Sequence, residues 1–338
     1  MARGRPSREQ VYAAFERAIS DLYAVGGLPH PVEAEGIWEG IWHEETHHST
    51  AIEGNTLVLR QVRTLLEEGR AVGNKELREY LEIEGYADAA KWVYAQAIRR
   101  TWESAGEGQP RELMNITEVR EMHRRVVEPA WNLFPPEPMD PREGPGAFRV
   151  SELEPLRAGL QPPVSADVQP QVRDWLAAIN REWPKPATFV ENLARFHAAF
   201  ERIHPFRDGN GRVGRLILNL LLVRSGAPPA VIYKRDRPRY LKGLAQADKS
   251  DFGPLGELIA RSVRVSVERH VLPALAGPMR LVPLGSLASE DLSRLALLSA
   301  AKRGRLRTVR MSDAYYSTGQ WVDDYKGSRR RGRRPAAA

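Results

Sequence analysis

The 338-residue chain has no cysteine, which excludes a disulfide framework, a thiolate zinc site and a thiol nucleophile. It has no membrane-spanning run either. The longest apolar stretch, LILNLLLV at 216–223, is far short of the roughly 20 residues that cross a bilayer and carries Asn219 in its middle. The start, MARGRPSREQ, is basic but leads into no apolar signal core, so no export signal is read and a cytoplasmic location is expected. Strand patterning is scarce. Residues 134–164 hold too much Pro and Gly for helix and fit a loop leading to a short hairpin, the only β element expected. Net positive charge is lacking over most of the length. Lys302–Arg334 holds eleven Lys or Arg against three Asp, a surplus of eight, whereas the whole chain is +7. The basicity belongs to the C-terminal segment alone.

What remains is mostly helix. Helical spacing appears at Ile37, Trp38, Ile41 and Trp42, in LRQVRTLLEE before Gly69, and from Glu76 to Ile98. Thr188 and Glu191 have the spacing of a capping box, ahead of a face made by Leu193, Phe196, Phe200 and Ile203. An apolar helix over 213–225 closes at Gly226, and further helices are predicted over 238–248 and 253–272.

Two stretches carry chemistry. HEETHHSTAIEGN at 43–55 opens with the H-E-x-x-H zinc pattern, yet its end reads as a helix terminus at Gly54. At about 100° per residue, Trp42, Thr46, Ser49 and Glu53 share one stripe. A helix docked through that stripe leaves His43, His47 and His48 at its side or surface, and no bound zinc is expected. The second stretch, HPFRDGNGRVGR at 204–215, is a glycine-rich loop between two helices. A loop ending at a helix N-terminus is a ready anion site, and Arg212 and Arg215 would project toward the same anion. Asp208 suits a Mg²⁺ ion bridging to phosphates, and His204 can be neutral and accept a proton from a hydroxyl. Those parts suit phosphoryl or nucleotidyl transfer.

This loop matches the Fic-domain motif HPFx(D/E)GNGRxxR at all nine specified positions, so the chain resembles the Fic family. The resemblance implies a mainly α, Fic-type helical bundle with a short β-hairpin flap near 147–164. It also implies transfer of AMP from ATP to a Ser, Thr or Tyr hydroxyl of a protein, with Mg²⁺. Carried over residue by residue, His204 would be the general base, Phe206 an inward anchor and Asp208 the metal ligand. Gly209, Asn210 and Gly211 would form the anion hole, and Arg212 and Arg215 would hold the β- and γ-phosphates. Tyr240 lies where an adenine-stacking aromatic is useful, with a core tyrosine as the alternative. The stretch STAIEG matches the family's inhibitory pattern (S/T)xxxE(G/N), implying that Glu53, with Ser49 and Gly54 beside it, pairs with Arg215. Other donors such as UTP or CDP-choline, AMP removal, or a nucleotide-sensing regulator with little transferase activity remain open.

The C-terminal segment resembles, more loosely, the small excisionase-type winged helix-turn-helix domains. Ala301, Gly304, Arg305, Leu306, Arg310, Tyr315, Tyr316, Thr318, Trp321, Val322 and Tyr325 fall at matching places. Arg305, Arg307, Arg310, Arg329, Arg330 and Arg331 are the candidate contacts to DNA, although a solubilising tail or an acidic protein partner fits the same charge. The expected organisation is an N-terminal helical region over 1–110, a catalytic domain over 111–274, a linker over 275–285 and a basic module over 286–338. Expected partners are ATP, a protein target, the chain itself through self-modification, DNA and a second copy of the chain, with no membrane.

Overall fold

Helix-forming patterns become thirteen α-helices in a computed structural model that describes residues 6–29, 31, 35–96, 112–137, 140–156, 159–181, 188–275, 281–311 and 314–331. In chain order they are α1 (Arg8–Ala24), α2 (Glu35–Ile52), α3 (Leu59–Glu68), α4 (Leu77–Tyr94), α5 (Ile116–Trp131), α6 (Ser165–Arg181) and α7 (Phe189–Ile203). Then come α8 (Asn210–Arg224), α9 (Arg237–Ala247), α10 (Gly253–Ser266), a π-helical turn (Val267–Val271), α11 (Leu272–Leu275), α12 (Arg294–Lys302) and α13 (Gly319–Arg331). The boundary drawn at 110 lies outside the described residues, as do the end of the helix predicted to reach Ile98 and most of the linker.

The apolar run at 216–223 is the centre of the bundle. A helix apolar on all faces has to be buried, and α8 packs against α2, α4, α5 and α7. Its one polar interruption, Asn219, is fully buried and satisfied: Nδ2 donates to Glu45 Oε1 at 2.6 Å, and Oδ1 accepts from Ala230 N–H at 2.8 Å. Gly69 and Gly226 take positive φ (63° and 77°) at the helix ends where the sequence places them. The capping box at Thr188 does not form. Its hydroxyl accepts from Asn192 Nδ2, while Glu191 is drawn away to Tyr12 Oη at 3.0 Å.

Helix α2 corrects the surface reading of its histidines. It is buried or half-buried from Ile41 to Ile52, because α3, α4, α8, a 3-10 turn at Lys234–Asp236 and the π turn all pack on it. His43 is buried, and His48 lies edge-on to Tyr233 with ring centres 4.6 Å apart. Each buried carboxylate has partners. Glu44 takes Arg269 at 3.1 Å and the Tyr233 hydroxyl at 3.1 Å; Glu45 accepts from the Tyr86 hydroxyl at 2.7 Å.

Among the described residues the strands lie near the C-terminus, not in the hairpin expected to be the only β element. Within 147–164 the described residues form no strand ladder. Leu156 N–H donates to Leu160 O at 2.7 Å, closing a hairpin-shaped turn, and Pro155, Pro162 and Pro163 supply no N–H for a ladder. The strands are β1 (Val282–Pro283), β2 (Val309–Met311) and β3 (Ala314–Ser317), antiparallel in the order β1-β3-β2. A separate small core of Leu284, Leu292, Leu297, Leu306 and Val322 holds α12, α13 and this sheet together. Part of the expected linker is therefore a strand. The small unit meets the helical body where Tyr316 Oη donates to Asp21 at 2.7 Å and Arg294 lies 3.8 Å from Glu268.

Candidate active site

The last residue of the α7 cap, His204, is held in the left-handed region (φ 49°), uncommon for a residue with a side chain. Its Nδ1 lies 3.2 Å from Glu201 O. A carbonyl only accepts, so Nδ1 carries the proton and Nε2 is the basic nitrogen of the neutral ring. Arg149, whose side chain is fully buried, fixes the backbone at this point. Its Nε donates to His204 O at 2.9 Å, its N–H to Pro205 O at 2.9 Å, and its remaining nitrogens to Ser151 O and Pro163 O. Glu143 clamps the same segment by accepting from the N–H groups of Val150 and Ser151, both at 2.6 Å.

The following loop is locked from inside. Phe206 is fully buried and stacked on His123 with ring centres 3.7 Å apart. His123 Nδ1 accepts from Gly146 N–H at 2.8 Å, which places the proton on Nε2, 3.1 Å from Asp208 O. Burial pushes its pKa down to about 3, so the ring stays neutral. Asn210 uses its whole amide on the Phe206 backbone, accepting at 2.9 Å and donating at 2.8 Å. Its side chain therefore shapes the loop, and the anion face is left to the backbone of Gly209–Arg212 at the α8 N-terminus. Gly209 takes φ 79°, and a Cβ there would press on Val127 at 2.7 Å.

The charged groups converge on that N-terminus. Asp208 accepts from Gly209 N–H at 2.6 Å and from Arg212 Nη2 at 3.1 Å. Burial raises its pKa, but Arg212, the Gly209 N–H, Arg78 and His123 outweigh this and hold the carboxyl below its usual range. Arg215 donates from Nε to Ser49 Oγ at 2.7 Å, and from Nη2 to Ser49 O at 3.0 Å and Glu53 Oε1 at 2.7 Å. Burial pushes Glu53 up, but the charge of Arg215, its hydrogen bond and Arg212 pull it below the ordinary value. Glu53 stands just beyond α2, before Gly54 at φ 113°. A Cβ on Gly211 would collide with the Glu53 carboxylate, so the acid occupies the mouth of the anion hole. Two guanidinium nitrogens there, Arg212 Nε and Arg215 Nη1, are buried without a hydrogen-bond partner. Unpaired buried donors beside a helix N-terminus fit phosphate oxygens. Asp208, a single hard carboxylate next to such a site, fits Mg²⁺ held jointly with phosphates.

The remaining sequence candidates fall as follows. Tyr240 is a core residue: it is 2% exposed, and its hydroxyl lies 2.7 Å from His197 Nε2, so its face is closed to adenine. The zinc pattern is not assembled as H-E-x-x-H. The donor atoms that gather within 4.8 Å come from Glu39, His43 and Glu67, without His47. The basic candidates divide, with Arg305 and Arg329 lining a cleft of about 530 Å³ and Arg307 resting on the Trp321 ring at 4.1 Å. Arg310 lies 5.9 Å from the Tyr315 ring, and the side chains of Arg330 and Arg331 fall outside the described residues. Sequence reasoning missed His123, Glu143 and Arg149. They lie 55 to 81 residues before His204, in segments with no motif of their own.

The helical bundle thus presents a histidine, a carboxylate and two arginines around one helix N-terminus. Residues 113–222 match the Fic/DOC family, and the chain carries a Fic domain. It is 31% identical over 241 residues to protein adenylyltransferase Fic of Nematostella vectensis, covering 70% of this chain and 51% of that protein. It is 29% identical over 272 residues to protein adenylyltransferase fic-1 of Caenorhabditis elegans, covering 80% and 49%. The chain thus spans about half the length of the curated relatives it matches. A solved structure of C. elegans Fic-1 superposes with a TM-score of 0.59 at 26% identity, covering 78% of this chain and 72% of that one. A Fic family protein from Desulfovibrio desulfuricans shares the fold over 93% of this chain and 96% of its own, with a TM-score of 0.54 at 19% identity. No helix among the described residues is long and apolar enough to cross a membrane.

Proposed function

We propose that this site transfers AMP from ATP to a hydroxyl of a protein target. The observation that carries the reading is the pair of buried, unpartnered guanidinium nitrogens of Arg212 and Arg215 on the first turns of α8, next to His204 with Nε2 as its basic nitrogen. Relatives named protein adenylyltransferase support it. His204 takes the hydroxyl proton as the target oxygen bonds the α-phosphorus. The bond from that phosphorus to the bridging oxygen breaks, and pyrophosphate leaves. The backbone N–H groups of Gly209–Arg212 and the Arg212 guanidinium receive the charge that develops on the phosphate oxygens. Mg²⁺ bound at Asp208 would neutralise phosphate charge.

The same reading makes Glu53 an inhibitor. Its carboxylate holds the Arg215 hydrogen bonds that a γ-phosphate needs, and α2 is the inhibitory helix. The catalytic unit is assigned to 111–274 and a basic module to 286–338. The surplus of positive charge on that module supports nucleic-acid contact. Incubating the Glu53→Gly protein with mixed labelled nucleotides, followed by mass spectrometry, tests the enzyme reading. An AMP adduct is expected, and it should vanish with His204→Ala. A uridylyl or phosphocholine adduct would reassign the donor. No adduct on the protein or on a lysate would favour a nucleotide-sensing regulator.

A further inference from the structure

We propose that the cleft between α12 and α13 is a phosphate-backbone site for duplex nucleic acid, an inference that rests on the reading of the C-terminal module as a nucleic-acid contact. Arg303, Arg305 and Arg329 line it, with Ser299, Ser328 and Tyr325. Arg303 caps α12, and Gly304 then turns the chain in the left-handed region (φ 64°). The turn is pinned where Gly304 N–H donates to Ala301 O at 3.0 Å and Arg305 N–H to Ala300 O at 2.9 Å. Arg303 and Arg305 therefore flank one end of the cleft, and Arg329 reaches it from the last turn of α13, 5.8 Å from the Tyr325 ring.

These three are gathered in one cleft without a carboxylate among its described residues, whereas several arginines of the helical body are paired. Arg124, Arg125, Arg212, Arg215, Arg224 and Arg269 each sit on a carboxylate. Among the described residues none of the three cleft arginines does, and all three are exposed. Like charges gathered without counter-charge repel, a cost that an external anion removes. The cations also continue beyond the cleft. Arg307, over the Trp321 ring, and Arg310, near Tyr315, add positive charge on β2 and the turn before it. A single small anion would use the cleft alone. A polymer with closely spaced charges, such as the one per ~1.7 Å of a duplex axis, would use the whole track.

The test is fluorescence anisotropy of the full chain with a fluorescein-labelled, mixed-sequence DNA duplex, titrated between about 50 and 200 mM salt. The triple variant R303Q/R305Q/R329Q is expected to bind more weakly and to flatten the slope of log K against log salt by about 2.7, about 0.9 for each phosphate lost. R60Q/R63Q/R70Q removes the same charge from exposed positions on and just beyond α3 and should bind as wild type. If the triple variant melts early, single Gln variants replace it, each expected to flatten the slope by about 0.9. If wild type fails to bind the duplex at low salt, the nucleic-acid reading falls and the cleft assignment with it. If wild type binds and the cleft variant matches it in affinity and slope, the cleft assignment alone is overturned. Equal losses in both triple variants would reduce the effect to net charge and overturn it. So would polyglutamate displacing the labelled duplex as well as unlabelled duplex does, because the cleft would then take an acidic protein.

Discussion

Arg212 and Arg215 are 5% and 3% exposed, and each touches a carboxylate; Arg303, Arg305 and Arg329 are exposed, and none does among the described residues. The difference is one of physical constraint. A buried guanidinium must keep a counter-charge, so under the proposed function Glu53 would be a built-in competitor and binding an exchange of Glu53 for an anion. An exposed guanidinium is hydrated and screened, so its site needs no competitor and reports chiefly on salt.

The largest effect should come from the group that handles the proton. In a Glu53→Gly background, His204→Ala is expected to lower the rate of AMP incorporation by about 10²–10⁴-fold, measured by radiolabel transfer, while ATP binding measured by calorimetry changes little. Next is the clamp behind it. Arg149→Met orphans the carbonyls of His204, Ser151 and Pro163, at about 1–3 kcal/mol each, so roughly 3 kcal/mol of stability should be lost in urea denaturation. Arg149→Lys should restore only part of it, since an ammonium cannot reproduce the fork. Where the fold survives, kcat should fall with little change in KM for ATP, because Arg149 touches the histidine backbone and no phosphate-binding group.

A comparable but pH-dependent effect is expected at Glu45. Burial raises its pKa to about 7, only partly offset by Tyr86, Asn219 and Arg215. A carboxyl raised on folding adds stability below its unfolded pKa, and that stability is lost as pH rises through about 7. Glu45→Gln should therefore match wild type at pH 4.5 and exceed it at pH 8 by on the order of 3 kcal/mol, read from melting curves. Glu53 has the opposite sign. Its depressed pKa means that the contact with Arg215 is present above the unfolded value, about 4.3, and is lost only as pH falls through the lower folded one. Self-labelling by wild type should stay low from pH 6 to 8. The smallest change is expected at the exposed arginines. R303Q/R305Q/R329Q should shift stability by under about 0.5 kcal/mol, and a larger shift would show that the cleft is structural.

The loop was legible because its parts are contiguous: twelve residues carry histidine, carboxylate, glycines and both arginines, and helix spacing aims them together. Ser49 and Glu53 were legible as one helical stripe, and although Glu53 stands just beyond the end of α2 the two do meet the same guanidinium. What surrounds a helix is not written in its own periodicity. The burial of His43 and the fit of Glu45 against Asn219 depend on neighbours up to 174 residues away. Tyr240 looked usable as a stacking face until His197 and the packing around α9 closed it. The turn expected within 147–164 is present at Leu156–Leu160, but its described residues pair in no strand ladder, in keeping with the prolines that its own sequence displays. The strand at Val282 needed its partner at Ser317 to exist at all.

The central claim is that Glu53 holds Arg215 against the nucleotide, and Glu53→Gly tests it most directly. The substitution removes a carboxylate at a partly exposed turn while leaving His204 and the loop in place. Self-AMPylation should rise about 100-fold over wild type, the effect of releasing about 2.7 kcal/mol of competition. Labelling that stays at the wild-type level in a folded Glu53→Gly protein that still binds ATP would contradict the account.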